Sequence, residues 1–418
     1  MKRGILIALM VLMGICVCAC GKRGQDNAET DKPAETEKQT ADTVSGQASG
    51  TDGEIQISHS EAFAMAEGLL KNMTLEEKIG QMFMLHLSQL DETRTLDGNH
   101  YKVTPKIRRM LKKYNIGGIY LTSNNIDNAR QTKKLVRSLK NCVSGGALYV
   151  AVEEEAGGDY SISAQTDVLR EADGLTPEHM GREMSDEQVY EKCRKIAQEI
   201  AGYGINMNLA PVSDIASAKN NEYARRCLGS ELEGVIEQTE SFVRGMSDGG
   251  LGTTLKYFPG IGNVSGDYRT QLLENTDSLM TLRNINFATY SAGMEAGADA
   301  VMMSSVSVSK VTMKKIPAFM SQEIVTNLLR EELGFDGVIM TPFLNDLLMT
   351  DKYTSGFAAV EAVKAGCDLL VLPEDWKESY EALLAAVNRG DIDEKVINTA
   401  VQRILQNKIQ RGILVLEQ

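Results

Sequence analysis

GFDGVIMTP, residues 334–342, is the stretch whose reading decides the fold. Val338, Ile339 and Met340 form a short apolar run between Gly337 and Pro342, the pattern of a strand buried on both faces. Just upstream, residues 321–333 space Ile324, Leu328 and Leu329 along one helical face and stop at Gly334, a natural helix C-cap. Downstream, residues 361–366 repeat the helix-to-glycine arrangement before another apolar run, 369–372. Helix, glycine, buried strand, polar loop and helix again make the repeating unit of a parallel sheet.

Working outward, further β-like runs stand at 80–85, 118–121, 148–152, 207–210, 252–255 and 300–304, which with 337–341 and 369–372 makes eight. The first follows MTLEEKI so closely that it can equally belong to a helix. Thr74 and Glu77 have the spacing of a capping box, the Thr oxygen and the Glu side chain each satisfying a free backbone donor. Residues 376–388 and 393–414 read as the last helices, the second amphipathic. Eight strands alternating with helices suit an α/β fold with a single (β/α)8 TIM-type barrel over 58–418, without an internal repeat or a second globular domain.

Ordered blocks along this region carry a resemblance. They are MTLEEKIGQMFM, YNIGGIYL, GINMNLAPVSD, RCLGSE, LKYFPGIGNVSGDYR, GFDGVIMT and AVKAGCDLLVLP. Together they resemble the catalytic domain of glycoside hydrolase family 3, especially its bacterial β-N-acetylhexosaminidases. In that family the strand reads close to GFDGVVxSD or GFDGVVxTD, and its Asp is the nucleophile; here Thr341 is followed by Pro342. The family's KHFPGHGD and following DSH, whose His pairs with the Asp as acid/base, align without a gap. The first His then falls on Tyr257, the second on Ile261, the Asp on Asn263 and the acid/base His on Arg269. The resemblance therefore implies the family barrel without its usual reaction chemistry, because proline has no nucleophilic atom and arginine keeps its proton.

In a barrel of this kind function sits where the strands end. Glu153 stands where the family holds sugar hydroxyls with an Asp, within Glu153-Glu154-Glu155; Ala156 reads as an insertion, and Asp159 replaces an expected Arg. The three glutamates fit either a reshaped pocket or a solvated rim. Arg226 matches the family's contact to the acetamido sugar, or pairs with nearby acids. Lys256 matches a sugar-hydroxyl ligand, and Tyr257 offers a polar edge and a face for stacking. Pro259, Gly260 and Gly262 keep the turn. Asp267 and Arg269 form either an ion pair or an anion site, and Asp214 reads as a ligand contact or a buried structural carboxylate. Asp346, four residues beyond Pro342, could pair with Glu155 as a relocated acid and base at the wider spacing of inverting glycosidases. No other catalytic residue is assigned.

The N-terminus supplies the cellular context. Lys2 and Arg3 precede an apolar run, 4–17, too short to span a bilayer, and Val17-Cys18-Ala19-Cys20 resembles a bacterial lipobox. Residues 1–19 are read as a signal peptide, and 20–57 as the lipidated Cys20 with a flexible polar linker. The expectation is an exported, membrane-anchored lipoprotein that meets an amino-sugar glycan or a cell-wall protein. The net charge of −13 over 418 residues argues against nucleic acid and against electrostatic adhesion to anionic lipid, leaving the acyl chains as the membrane contact. Cys142, Cys193, Cys227 and Cys367 lack C-x-x-C spacing and are expected to be buried thiols or to hold one incidental disulfide. His59, His86, His100 and His179 have no metal spacing, so neither a metal nor a cofactor is expected.

Overall fold

The computed structural model describes residues 57–91, 102–216, 222–261, 264–267 and 269–415. The signal, Cys20, the linker as far as residue 56, and Gly262 with Asn263 lie outside the described residues. Eight parallel strands form the barrel: β1 Phe83–Leu85, β2 Gly118–Tyr120, β3 Tyr149–Val152, β4 Met207–Asn208, β5 Thr254–Phe258, β6 Ala300–Met303, β7 Val338–Phe343 and β8 Leu369–Val371. The ladder runs β4-β3-β2-β1-β8-β7-β6-β5. It closes through a parallel bridge between Met207 and Gly252, with the Asn208 amide donating to the Gly252 carbonyl at 2.7 Å.

Each of the eight predicted runs overlaps a strand, and the differences lie at their ends, β7 running to Phe343 beyond the predicted 337–341. Gly80 and Gln81 belong to the helix Leu75–Gln81, opened by the expected capping box: the Glu77 amide donates to Thr74 Oγ1 and the Thr74 amide to Glu77. Strand β5 extends through Tyr257 and Phe258, beyond the predicted 252–255. The predicted helix 321–333 is Glu323–Glu332, wound as a π-helix, in which the Leu333 amide donates to Leu328 five residues back at 3.0 Å. It ends before Gly334, whose φ of 69° lies in the left-handed region glycine tolerates. The last helix is Glu394–Gln410, shorter than 393–414, with Asp393 as its N-cap.

Strand β7 depends on fixed surroundings. A Cβ on Gly337 would come within 2.5 Å of the Asp299 carbonyl, so only glycine permits this approach. Asp368, buried, accepts from the Ile339 amide at 2.8 Å and from Arg330 at 2.6 Å, tying the start of β7 to β8 and the preceding helix. At its far end β7 bulges: Met340 pairs with Leu369 and Phe343 with Val371, while the Val371 amide donates instead to Thr341 Oγ1 at 2.9 Å. Pro342 occupies the bulge, where the strand tolerates a residue without an amide donor. The four cysteines 142, 193, 227 and 367 are buried and free.

Candidate functional site

The C-terminal strand ends bring most of the candidate residues onto one polar floor. Tyr120 ends β2, Glu153 follows β3, Arg226 ends the turn Glu222–Arg226, and Lys256 and Tyr257 lie in β5. Glu153 Oε1 accepts from Lys256 Nζ at 2.5 Å and from Arg226 Nη2 at 2.7 Å. Glu155 accepts from Arg226 Nε at 2.9 Å and lies 2.7 Å from Lys256 Nζ. Arg226 also donates to the Tyr257 hydroxyl at 3.1 Å, and the Tyr120 hydroxyl donates to Glu153 at 3.2 Å. Two carboxylates and two cations thus neutralise one another, and the four residues are between 1% and 6% exposed. Such burial is tolerable only because each charge has an opposite partner.

The reading of the three glutamates as a solvated rim is overturned, since all three are buried. They do not share a direction. Glu154 turns away from the floor and accepts from the Gly157 and Ser163 amides at 2.7 and 2.9 Å, closing the loop beneath the site. Ala156, the apparent insertion, takes φ 67°, followed by Gly157 at 93° and Gly158 at 79°. Three successive left-handed residues turn the chain directly after Glu155. Asp159, where an Arg was expected, is exposed.

Tyr160 roofs this floor. Its ring lies 4.2 Å from the Arg226 guanidinium carbon, a cation–π contact, and its hydroxyl accepts from Arg269 Nη1 at 3.3 Å. Arg269 is clamped to Asp267 by its Nε at 2.8 Å, its Nη2 at 3.1 Å and its backbone amide at 3.0 Å, an ion pair at the half-open rim. Tyr257 is only 3% exposed, so little of its ring is open for stacking. Tyr120 was legible in principle, as a polar residue at a strand's C-terminal end. Tyr160 follows the inserted loop and carried no such signal.

Pro342 is buried in β7 and offers no side-chain oxygen where the resemblance puts the nucleophile. Asp346 begins the helix Leu347–Lys352 without a side-chain cap bond. Burial pushes its carboxyl up to about 7; Arg269 opposes this, while Asp267 and Glu153 add to it, which places Asp346 at the same mouth. Its proposed partner differs in kind. Burial would raise Glu155, but the Arg226 and Lys256 charges outweigh burial and hold it well below the usual carboxylate range. A carboxylate so stabilised is a weak general base near neutral pH.

Asp214 lies under the floor, fully buried. It accepts from the Ile261 amide at 2.8 Å and the Tyr290 hydroxyl at 3.3 Å, bracing the loop after β5. Burial pushes its carboxyl up to about 7, against the hydrogen bonds that lower it. A carboxyl with a raised folded-state pKa favours the fold at low pH, and that contribution is lost as pH rises from about 4 through about 7. Asp214→Asn is therefore expected to flatten the slope: in urea unfolding at about pH 5 and about pH 8, the wild type should lose roughly 1–3 kcal/mol more than the variant. Equal losses would exclude Asp214 as the titrating group.

Among the described residues no three His, Cys, Asp or Glu side chains gather as a metal-ion site. A Beta-hexosaminidase of Pseudomonas aeruginosa (strain LESB58) is 28% identical over 295 residues, 69% of this chain and 83% of its own length. The glycoside hydrolase family 3 beta-N-acetylglucosaminidase from Paenibacillus sp. str. FPU-7 shares the architecture with a TM-score of 0.75 at 29% identity, covering 83% of this chain; the chain spans 64% of that structure, just under two thirds. Beta-N-acetylhexosaminidase from Beutenbergia cavernae DSM 12333 gives a TM-score of 0.70 at 25% identity, covering 82% of this chain and 99% of its own. The profile of the Glycosyl hydrolase family 3 N terminal domain matches residues 74–407, and the chain belongs to that family.

Proposed function

We propose that this chain is an exported, lipid-anchored family 3 domain that binds an N-acetylglucosamine-containing glycan, such as a peptidoglycan fragment, without hydrolysing it. The observation that carries the reading is the pair of replacements at the mouth: Pro342 within β7, and Arg269 held against Asp267. A retaining glycosidase needs a nucleophile and a proton-handling group about 5–5.5 Å apart, and neither residue can fill its role. Above the buried network of Glu153, Glu155, Arg226 and Lys256, the half-buried Tyr160, Asp267, Arg269 and Asp346 keep the mouth polar and rich in hydrogen-bonding groups, which suits a sugar better than an apolar ligand. Similarity to enzymes named for N-acetylhexosaminide or N-acetylglucosaminide cleavage supports the amino-sugar class. The anchor rests on the lipobox-like 17–20 and on the polar residues 21–54 that follow.

Calorimetric titration with N-acetylglucosamine oligosaccharides and soluble peptidoglycan fragments tests the binding. Saturable binding is expected, weakened roughly tenfold by Arg269→Ala, a rim residue whose loss leaves the buried network whole. Failure to bind any of these sugars would remove the glycan and leave a cell-wall protein as the partner. A second reading keeps hydrolysis, with Asp346 as a relocated acid. Its support is the carboxyl raised to about 7 at the mouth, and its weakness is that Glu155 makes a poor base.

A further inference from the structure

Residues 102–140 hold eleven Lys and Arg against one acid, Asp127, whereas the rest of the chain holds 33 Lys and Arg against 56 Asp and Glu. The acidic total hides a basic segment. It folds as β2 between two outer helices, Pro105–Tyr114 and Ala129–Lys140. Ile107 and Leu111 of the first helix, and Leu135, Val136 and Leu139 of the second, are buried. Helical periodicity then forces the polar positions outward. Arg108, Arg109, Lys112 and Lys113 are exposed on one helix, and Arg130, Lys133, Lys134 and Arg137 on the other.

The two helices flank β2 in the chain and come together at their C-terminal ends. Their C-terminal ends line one hollow containing Lys112, Asn115, Asn141 and Cys142, and Arg108 and Lys112 act electrostatically on the Cys142 thiol. Among the described residues none of the eight exposed cations pairs with a carboxylate; the segment's ion pair is Lys106 with Asp91 at 3.8 Å. A second shallow hollow lies among Val103, Arg108, Arg109 and Lys112. A helix of this length spans roughly 15 Å, beyond the Debye length of about 8 Å at physiological ionic strength. An anionic surface close to this face therefore meets the local positive charge and not the distant acidic total.

We propose that this two-helix face seats the domain on an anionic bilayer, with its Lys and Arg side chains on lipid phosphates. The proposal rests on the lipid-anchor reading above, which brings the bilayer within reach. Single-stranded nucleic acid fits less well, because it calls for aromatic platforms. The helices' lone aromatic, Tyr114, is instead packed edge-on against Trp376 and Tyr380.

The test uses the full chain carrying Cys20→Ala, which cannot be lipidated, sedimented with vesicles of pure phosphatidylcholine or with one-third phosphatidylglycerol. Binding to the anionic vesicles is expected to be roughly tenfold or more stronger, and to vanish at high salt. Arg109→Glu, Lys113→Glu, Lys133→Glu and Arg137→Glu together should reduce it to the phosphatidylcholine level. The same charge change at exposed positions elsewhere, Lys310→Glu, Lys314→Glu, Lys315→Glu and Lys395→Glu, should leave most of it intact. Unchanged melting temperatures establish that both variants fold, and glycan titration of each, read separately, keeps failure of this proposal distinct from failure of the sugar site. Equal binding to both vesicle types, equal loss in the two variants, or tighter binding to DNA than to the anionic vesicles would overturn the proposal.

Discussion

Pro342→Asp combined with Arg269→His is expected to give a chain that cleaves an aryl N-acetyl-β-glucosaminide roughly 10²-fold or more above the wild-type background. The aspartate would restore a nucleophile near the C-terminal end of β7, within the bulge between Met340 and Phe343. The histidine would stand beside Asp267, which now holds Arg269 through its carboxylate and can instead orient an imidazole. Each single variant should gain far less, since one group supplies the attack and the other handles the proton. Glycosidase assay of the two single variants and the double variant reads this directly. A double variant that folds and binds glycan but stays silent would mean that the two positions no longer stand in a productive relation to the sugar.

Arg226→Met is expected to lower stability by about 3–5 kcal/mol, because it leaves Glu153 and Glu155 sharing one cation in a site closed to water. The buried network spans loops far apart in sequence, and Arg226 contacts both carboxylates. Adding Glu155→Gln should recover part of the loss, since the charge left unpaired is then removed. Urea unfolding of the two singles and the double gives the coupling. A loss below about 1 kcal/mol for Arg226→Met would place solvent in the network and contradict its burial.

Much of the barrel was legible because a buried parallel strand is an apolar run with few alternatives, and each run was bounded by glycine or polar residues. The ends were less legible. Gly80 and Gln81 stay helical because the capping box at Thr74 carries the helix to the edge of β1. Strand β5 runs on because Phe258 pairs with Met303 of β6, with Tyr257 skipped at the irregular step after Lys256. Within the site, Glu153, Arg226, Lys256 and Tyr257 were named from the resemblance, and the fold brings them together. Their mutual pairing was not legible, because burial of Glu155 depends on Arg226 and Lys256, distant in the chain. Three consecutive glutamates look solvated until the partners that neutralise two of them, and the amides that hold the third, are in place. Asp346 shares the mouth, but only the structure reveals that Glu155 is bound to cations and so poorly suited to serve as its base.

The central claim, a family 3 barrel whose sugar chemistry has been lost, is tested most directly by incubating the wild-type chain with an aryl N-acetyl-β-glucosaminide and with peptidoglycan fragments, beside its Asp346→Ala variant. The account predicts that neither protein releases product faster than buffer alone. Turnover by the wild type that disappears in Asp346→Ala would contradict it and establish hydrolysis through a relocated carboxylate.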